Sequence, residues 1–193
     1  MSRALIDAAA ALFSERPSGH VTVREIAARA GVNPALVHRY FGTKDHLMRT
    51  ALERSQRQIA TRIAQIEDVR RDIGVLFHAT LDEKEFVAAL ARASLDGVLP
   101  DFPAGYPTMS GLVAELERAL DGQTSAGRHD PRVIVACLGS LTLGFALFGE
   151  FILRGTRLDG EDRDRVERAI VDVLREVVAL ALEPGETRPS SSS

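Results

Sequence analysis

Between Thr22 and Thr43, helix starts and helix stops follow one another so closely that only a chain of short, tightly turned helices can accommodate them. Thr22 and Glu25 have the spacing of a capping box, in which hydroxyl and carboxylate each satisfy an amide left open at a helix start. Gly31 can take the left-handed conformation that ends a helix. Asn33 and Pro34 then open another: asparagine is a favoured cap, and proline in the first turn loses no needed donor. Gly42 closes that helix, and Thr43 caps a long fourth one carrying Leu47, Ala51, Ile59, Ile63 and Ile66 at mostly helical intervals. The pattern predicts helices over 23–30 and 34–40 joined by a three-residue turn. Ile26, Ala27, Ala30, Val32 and Val37 face inward, while Arg24, Asn33, Ala35, Leu36, His38, Arg39 and Tyr40 project outward. This is the plan of a helix-turn-helix, whose second helix enters the DNA major groove.

Elsewhere the punctuation is also helical. Leu5, Ala9, Leu12 and Phe13 share one face of a helix over 3–16 that stops at Pro17. Asp82 and Glu85 have capping-box spacing and predict a helix over 82–96; Pro100, Pro103 and Pro107 mark a loop over 97–111. Helices are expected over 112–120, over 131–154 with Asp130 as cap, and over 161–182. Period-2 alternation is almost absent. The expected class is all-α with about nine helices. The expected domains are residues 1–48, a helix-turn-helix DNA-binding domain; 49–183, a helical effector-binding and dimerisation domain; and 184–193, a disordered tail.

Charge is distributed to match. The chain of 193 residues carries a net −3, yet residues 1–57 hold nine Lys and Arg against five Asp and Glu, a net of +4. A basic module on an acidic body is the asymmetry expected when one part meets a polyanion. Cys137 is the only cysteine, which excludes an internal disulfide and a paired-thiol motif, and it reads as a buried small hydrophobe. Residues 8–13 form an apolar stretch too short and too closely flanked by acids for a secretory signal. Residues 133–149 lack formal charge but include glycines and hydroxyls and fall short of the roughly 20 apolar residues of a membrane span. They read as a buried helix of a cytoplasmic protein without membrane contact. No metal, cofactor or catalytic motif is found, and His78 with Glu83 gives an acid–base pair no nucleophile to serve. The reading is of a DNA-binding protein and not an enzyme. The alternatives are a small-molecule-binding helical protein with a vestigial DNA-binding segment and, last, an all-α enzyme.

Thr22, Ile26, Ala27, Ala30, Gly31, Val32, Tyr40, Phe41, Lys44 and Leu47, preceded by the amphipathic helix ending in Phe13, resemble the tetracycline-repressor (TetR) family of bacterial transcriptional regulators. The likeness covers about residues 3–50. It implies that Thr22 and Tyr40 donate to phosphates and that Lys44 adds charge at a helix start. It further implies that Asn33, Pro34, Ala35 and Leu36 meet base edges at the start of the recognition helix. The family often has tyrosine where this chain has His38 and glycine where it has Ala35. Pro34 and Leu36 offer only apolar contact, so base reading falls to Asn33, Arg39 and Arg24, with His38 available to a phosphate.

A helix-turn-helix of this kind works as a symmetric pair, which places a homodimer interface in the last two long helices. The expected interface residues are Val133, Leu141, Phe145, Val166, Ile170, Val173 and Val177, with Gly139, Gly144 and Gly149 allowing close approach. The family's switch is a ligand cavity. The candidates to line it are Phe77, His78, Phe86, Phe102, Tyr106, Met109, Phe145 and Phe148, a set that suits a small, largely apolar effector. The expected function is a ligand-responsive repressor that binds a palindromic double-stranded DNA operator as a homodimer.

Overall fold

The computed structural model describes residues 2–102, 105–120 and 129–183. Among the described residues there are nine α-helices and no strand, as expected for the all-α class. They are α1 (Ser2–Glu15), α2 (Val23–Arg29), α3 (Ala35–Phe41), α4 (Lys44–Ile63), α5 (Val69–Asp82), α6 (Lys84–Leu95), α7 (Pro107–Leu120), α8 (Pro131–Thr156) and α9 (Arg163–Ala181). The tail expected at 184–193 lies outside the described residues. The chain forms two compact units, Met1–Thr61 with Ala79–Thr108, and Arg62–His78 with Met109–Ser193. This division differs from a boundary at residue 48, because α6 packs on α1 and joins the N-terminal unit.

In the first unit, Leu5, Ala8, Ala9, Leu12 and Phe13 of α1 are buried, as are Phe86, Val87, Ala89 and Ala93 of α6. Arg92 on α6 donates to the Ser14 carbonyl at 2.9 Å, which ties α6 to the end of α1. Ile26 and Ala27 of α2, Val37 and Phe41 of α3, and Leu47 and Met48 of α4 complete this core. The capping box forms as the sequence predicts. The Glu25 amide donates to the Thr22 hydroxyl oxygen at 3.2 Å, and the Glu25 carboxylate accepts from the Thr22 amide at 2.8 Å and from its hydroxyl at 2.7 Å. Arg16, at the end of α1, adds an ion pair to the same carboxylate at 2.9 Å.

The second unit is built from α5, α7, α8 and α9. Asp130 caps α8 by accepting from the Arg132 amide, with Pro131 in the first turn, and Asp162 caps α9 by accepting from the Arg165 amide. Its core gathers Ile73 and Phe77 of α5, Leu112 and Leu116 of α7, Leu138 and Phe145 of α8, and Leu174 and Val178 of α9. Phe77 packs on Phe145 with ring centroids 5.4 Å apart, and the Arg163 guanidinium lies 5.5 Å from the Phe145 ring centre. Gly74 marks the closest approach of α5 to α9: a Cβ there would stand 2.9 Å from the buried Val171 side chain. Gly139 packs against Met109 of α7, whereas a Cβ on Gly144 would meet nothing.

Three sequence expectations are corrected. Asp82 and Glu85 form no capping box: Asp82 is the last residue of α5, and α6 starts at Lys84 without a side-chain cap. The loop expected over 97–111 ends early, because Pro107 opens α7; proline breaks a helix interior but is well placed in a first turn. The apolar stretch in α8 is not buried all round. One side of α8 holds Ile134, Leu138, Thr142, Phe145 and Leu153 in the core, while Val133, Leu141, Phe148 and Phe151 are exposed, as is Cys137. This helix is long and apolar enough to cross a membrane by length and composition.

Two predictions follow from this packing. Phe77→Ala removes a fully buried ring and should cost about 3–5 kcal/mol in denaturant unfolding at fixed protein concentration; a loss under 1 kcal/mol would show that the ring does not support the core. The two hydrogen bonds from Thr22, side chain and backbone, and the Arg16 guanidinium hold the Glu25 carboxyl at about 2, against an ordinary value of 4.5. Because the folded value is depressed, the box stabilises the chain above pH 4.5 and that contribution is lost as pH falls toward about 2. Carboxyl-resolved NMR titration should show Glu25 titrating well below the other glutamates.

Candidate nucleic-acid interface

The turn between α2 and α3 is closed by backbone bonds on both sides. Gly31 adopts φ +66°, its amide donates to the Ala28 carbonyl at 3.1 Å, and the Val32 amide reaches back to the Ala27 carbonyl at 2.9 Å. That pair of bonds is a Schellman stop, and a residue with a Cβ would be strained at its left-handed position. Two residues on, the Asn33 side-chain oxygen accepts from the Ala35 amide at 2.8 Å, and the Asn33 carbonyl accepts from the Leu36 amide. Pro34 already has helical dihedrals, so the assigned start of α3 at Ala35 agrees with the expected start at 34. α3 ends at Gly42, whose φ is +71°, and the Thr43 hydroxyl accepts from the His46 amide to cap α4.

With Ile26, Ala27, Val37 and Phe41 in the core, the remaining side chains of α2, the turn and α3 are left largely to the surface. Thr22, Arg24, Asn33, Pro34, Ala35, His38, Arg39 and Tyr40 are all exposed, and Leu36 is half-buried. Tyr40 keeps 45% of its surface open although its neighbour Phe41 is in the core. His38 Nδ1 lies 3.1 Å from the Gly42 carbonyl, which steadies the ring at the end of α3. The residues of 22–40 expected to face DNA are thus at the surface of this module, with Leu36 partly covered.

Lys44 has a duty the sequence did not reveal, and the predicted Asn33 cap has a consequence for recognition. The Lys44 ammonium donates to the carbonyls of Ser18 and Val21 at 2.7 and 3.1 Å, pinning the turn that leads into α2. Asn33 spends its oxygen on the cap, so only its amide NH2 is left to read a base. Arg16 was missed altogether as the partner that orients Glu25, since a nine-residue separation across a turn leaves no periodic trace.

The effector candidates fall into both units. Phe86 and Phe102 are buried in the first, with Tyr106 exposed and its ring edge-on to Phe102 at 5.5 Å. In the second, Phe77 and Phe145 are buried against each other, Met109 is half-buried on Gly139, and Phe148 is exposed. His78 lines a polar cleft, 3.9 Å from Glu167, and that carboxylate, not Glu83, is its acidic neighbour. Among the interface candidates, Val133, Leu141, Val173 and Val177 are exposed, Ile170 is half-buried, and Phe145 and Val166 are buried. All of these but Val133 line one apolar groove of about 820 Å³ between α8 and α9. No group of His, Cys, Asp and Glu able to hold a metal occurs among the described residues.

Known proteins give the same reading of this geometry. Residues 5–51, which run from α1 into α4, match the family described as bacterial regulatory proteins, tetR family. The HTH-type transcriptional repressor Rv3405c of Mycobacterium tuberculosis is 31% identical over 189 residues, covering 95% of this chain and 90% of the repressor. The regulator BetI of Rhizobium meliloti is 37% identical over 106 residues, or 54% of this chain and 47% of BetI. In fold, the transcriptional regulator SCO4942 of Streptomyces coelicolor superposes with a TM-score of 0.74 at 18% identity, over 91% of this chain and 96% of that one. With a repressor alike over nearly its whole length and the helix-turn-helix match at the N-terminus, the chain belongs to the tetR family of bacterial regulatory proteins and is a DNA-binding transcriptional regulator, not an enzyme.

Proposed function

We propose that the protein is a homodimeric repressor that seats α3 of each subunit in successive major grooves of a palindromic operator and lets go when a small, largely apolar effector binds. The observation that carries this reading is the row of exposed polar side chains from Thr22 to Tyr40 on a module whose turn and caps leave it no freedom to deform. Thr22 and Tyr40 would donate to phosphates and position the module. Arg24, Arg39 and the Asn33 amide would read base edges, with Pro34, Ala35 and Leu36 meeting thymine methyls. His38 would address the backbone. Lys44 would act mainly by holding the turn before Thr22, with its remaining N–H and its charge turned to a phosphate. The site of action is the compartment that holds the DNA, the bacterial cytoplasm.

The dimer is proposed from the apolar surface of α8 and α9. Val166, Ile170, Val173, Val177 and Leu180 recur at alternating steps of four and three, the seam of a helix that packs against a parallel or antiparallel partner. Val173 is 58% exposed, and with Leu141 and Val177 it borders the groove between the two helices. A second copy's α8 and α9 would cover that groove as a four-helix bundle and bring the two α3 helices to about 34–36 Å, one turn of DNA. Gly144, where nothing of the same subunit stands near, would let the partner's backbone approach. Phe77 and Phe145 line the same groove, so an apolar effector lodged against them would bear on the seam. Coupling of about 1–3 kcal/mol would change operator affinity roughly 5–150-fold.

Two experiments test the reading. In retardation assays over a range of salt, Tyr40→Phe should weaken binding to operator and random DNA alike, while Arg39→Ala should cost about 1–3 kcal/mol on the operator and far less on random DNA. Lys44→Ala should flatten the salt dependence by about one unit and also lower the melting temperature. An Arg39 variant that loses both kinds of DNA equally would remove it from base reading. Val173→Arg and Val177→Arg should sediment as monomers with poor operator affinity, and a persistent dimer in the ultracentrifuge would reject the α8–α9 seam.

A further inference from the structure

The buried face of α4 is interrupted in its middle. Leu47, Met48, Ala51 and Leu52 lie in the core before the break, and Ile59 and Ile63 after it. Between them stand Ser55 and Gln56, polar and only 8% and 7% exposed. Each is three or four residues from both Leu52 and Ile59, so the two side chains share the inward face with those apolar neighbours. Among the described residues the buried polar side chains are Ser55, Gln56, Thr80, Thr108 and Thr142, and none is charged. Thr108 donates to the Gln56 main-chain carbonyl at 3.2 Å, Thr142 donates to the Leu138 carbonyl of its own helix, and Thr80 is not free either. That leaves the Ser55 hydroxyl and the Gln56 side-chain amide without a partner among the described residues. Elsewhere on α4, Thr50 and Thr61 return their hydroxyls to carbonyls four residues back, both at 2.8 Å. Ser55 does not, so its hydroxyl is kept for something other than its own helix.

We propose that Ser55 and Gln56 form the polar end of an internal site for a small neutral molecule bearing an amide group. The Gln56 side chain presents an N–H donor beside a carbonyl acceptor, and an amide answers with acceptor and donor in the reverse order, giving two reciprocal bonds. The Ser55 hydroxyl is a further donor for the ligand's carbonyl oxygen. A carboxylate or an ammonium ion would bring a charge into an interior that offers no opposite charge, which excludes ionised ligands. Leu52 and Ile59 on either side suit an apolar remainder. Unpartnered, the two polar groups cost stability that Ala and Met at these positions would not, and an amide-bearing occupant recovers it. Both residues belong to the first unit, whereas Phe77 and Phe145 belong to the second. The site therefore stands whether or not the apolar groove between α8 and α9 takes an effector.

The test is NMR titration of the isotope-labelled full-length protein with hexanamide and with hexanoate near neutral pH, read at the Gln56 side-chain NH2 signal. Hexanamide should bind saturably and move that signal. Hexanoate, of the same length but charged, should bind at least about tenfold more weakly. Gln56→Met keeps the length of the side chain without its donors and acceptor, and should weaken hexanamide at least about tenfold, with a smaller loss in Ser55→Ala. Equal affinity for hexanoate would overturn the neutral class, and unchanged affinity in Gln56→Met would overturn the site. So would a stationary Gln56 signal at saturating hexanamide, an outcome that needs no variant to fold. Absence of saturable hexanamide binding would assign both side chains to buried water and overturn the site as well. Operator retardation by the unaltered protein is read separately, and its failure would count against the repressor reading alone.

Discussion

Gly31, Val32 and Asn33, in the turn between α2 and α3, decide what this chain can do. They must end one helix, reverse direction and begin another, while leaving no backbone group open in a module too small to hide one. Gly31 makes the stop possible because its left-handed conformation lets two successive amides return to the Ala28 and Ala27 carbonyls. Asn33 makes the start possible by taking the Ala35 amide. With both ends satisfied locally, the angle between α2 and α3 is set by the packing of Ile26 and Ala27 against Val37, and the outward row is set with it. Such rigidity matters for recognition because base edges reward only donors already held in place; a turn that could flex would lose in ordering what each contact gains.

The same economy explains why a lysine expected to meet DNA is found bonding carbonyls. The approach to α2 is a short 3-10 turn over Ser18–His20, in which the Ser18 carbonyl accepts from the Val21 amide and, like the Val21 carbonyl, can take a further donor. Lys44 satisfies both from the first turn of α4. The entry to α2 is therefore tied to the end of the helix-turn-helix, and Thr22, which follows directly, inherits a fixed position. Capping, clamping and phosphate contact are compatible for one side chain because an ammonium carries three donors. The charge is also kept at a helix start surrounded by open amides, where an anion is favoured.

What the sequence disclosed and what it hid divide along a physical line. Local bonds are legible: the Thr22 box, the Gly31 stop, the Asn33 cap and the Asp130 cap all lie within a few residues, and each formed. The Asp82 and Glu85 pair had the same spacing and failed, because a box needs a helix that starts there, and Asp82 instead completes α5. The α5 helix was invisible as a unit since Asp68, Arg70, Arg71 and Asp72 at its start mask the apolar face of Ile73, Leu76 and Phe77. Contacts between distant segments left no trace at all: Arg16 with Glu25, Lys44 with Ser18, and the lining of the apolar groove, whose members run from Phe77 to Val177. Of the eight aromatic and neighbouring residues expected around an effector, only Phe77 and Phe145 line the apolar groove, because composition identifies rings and not the direction each one faces.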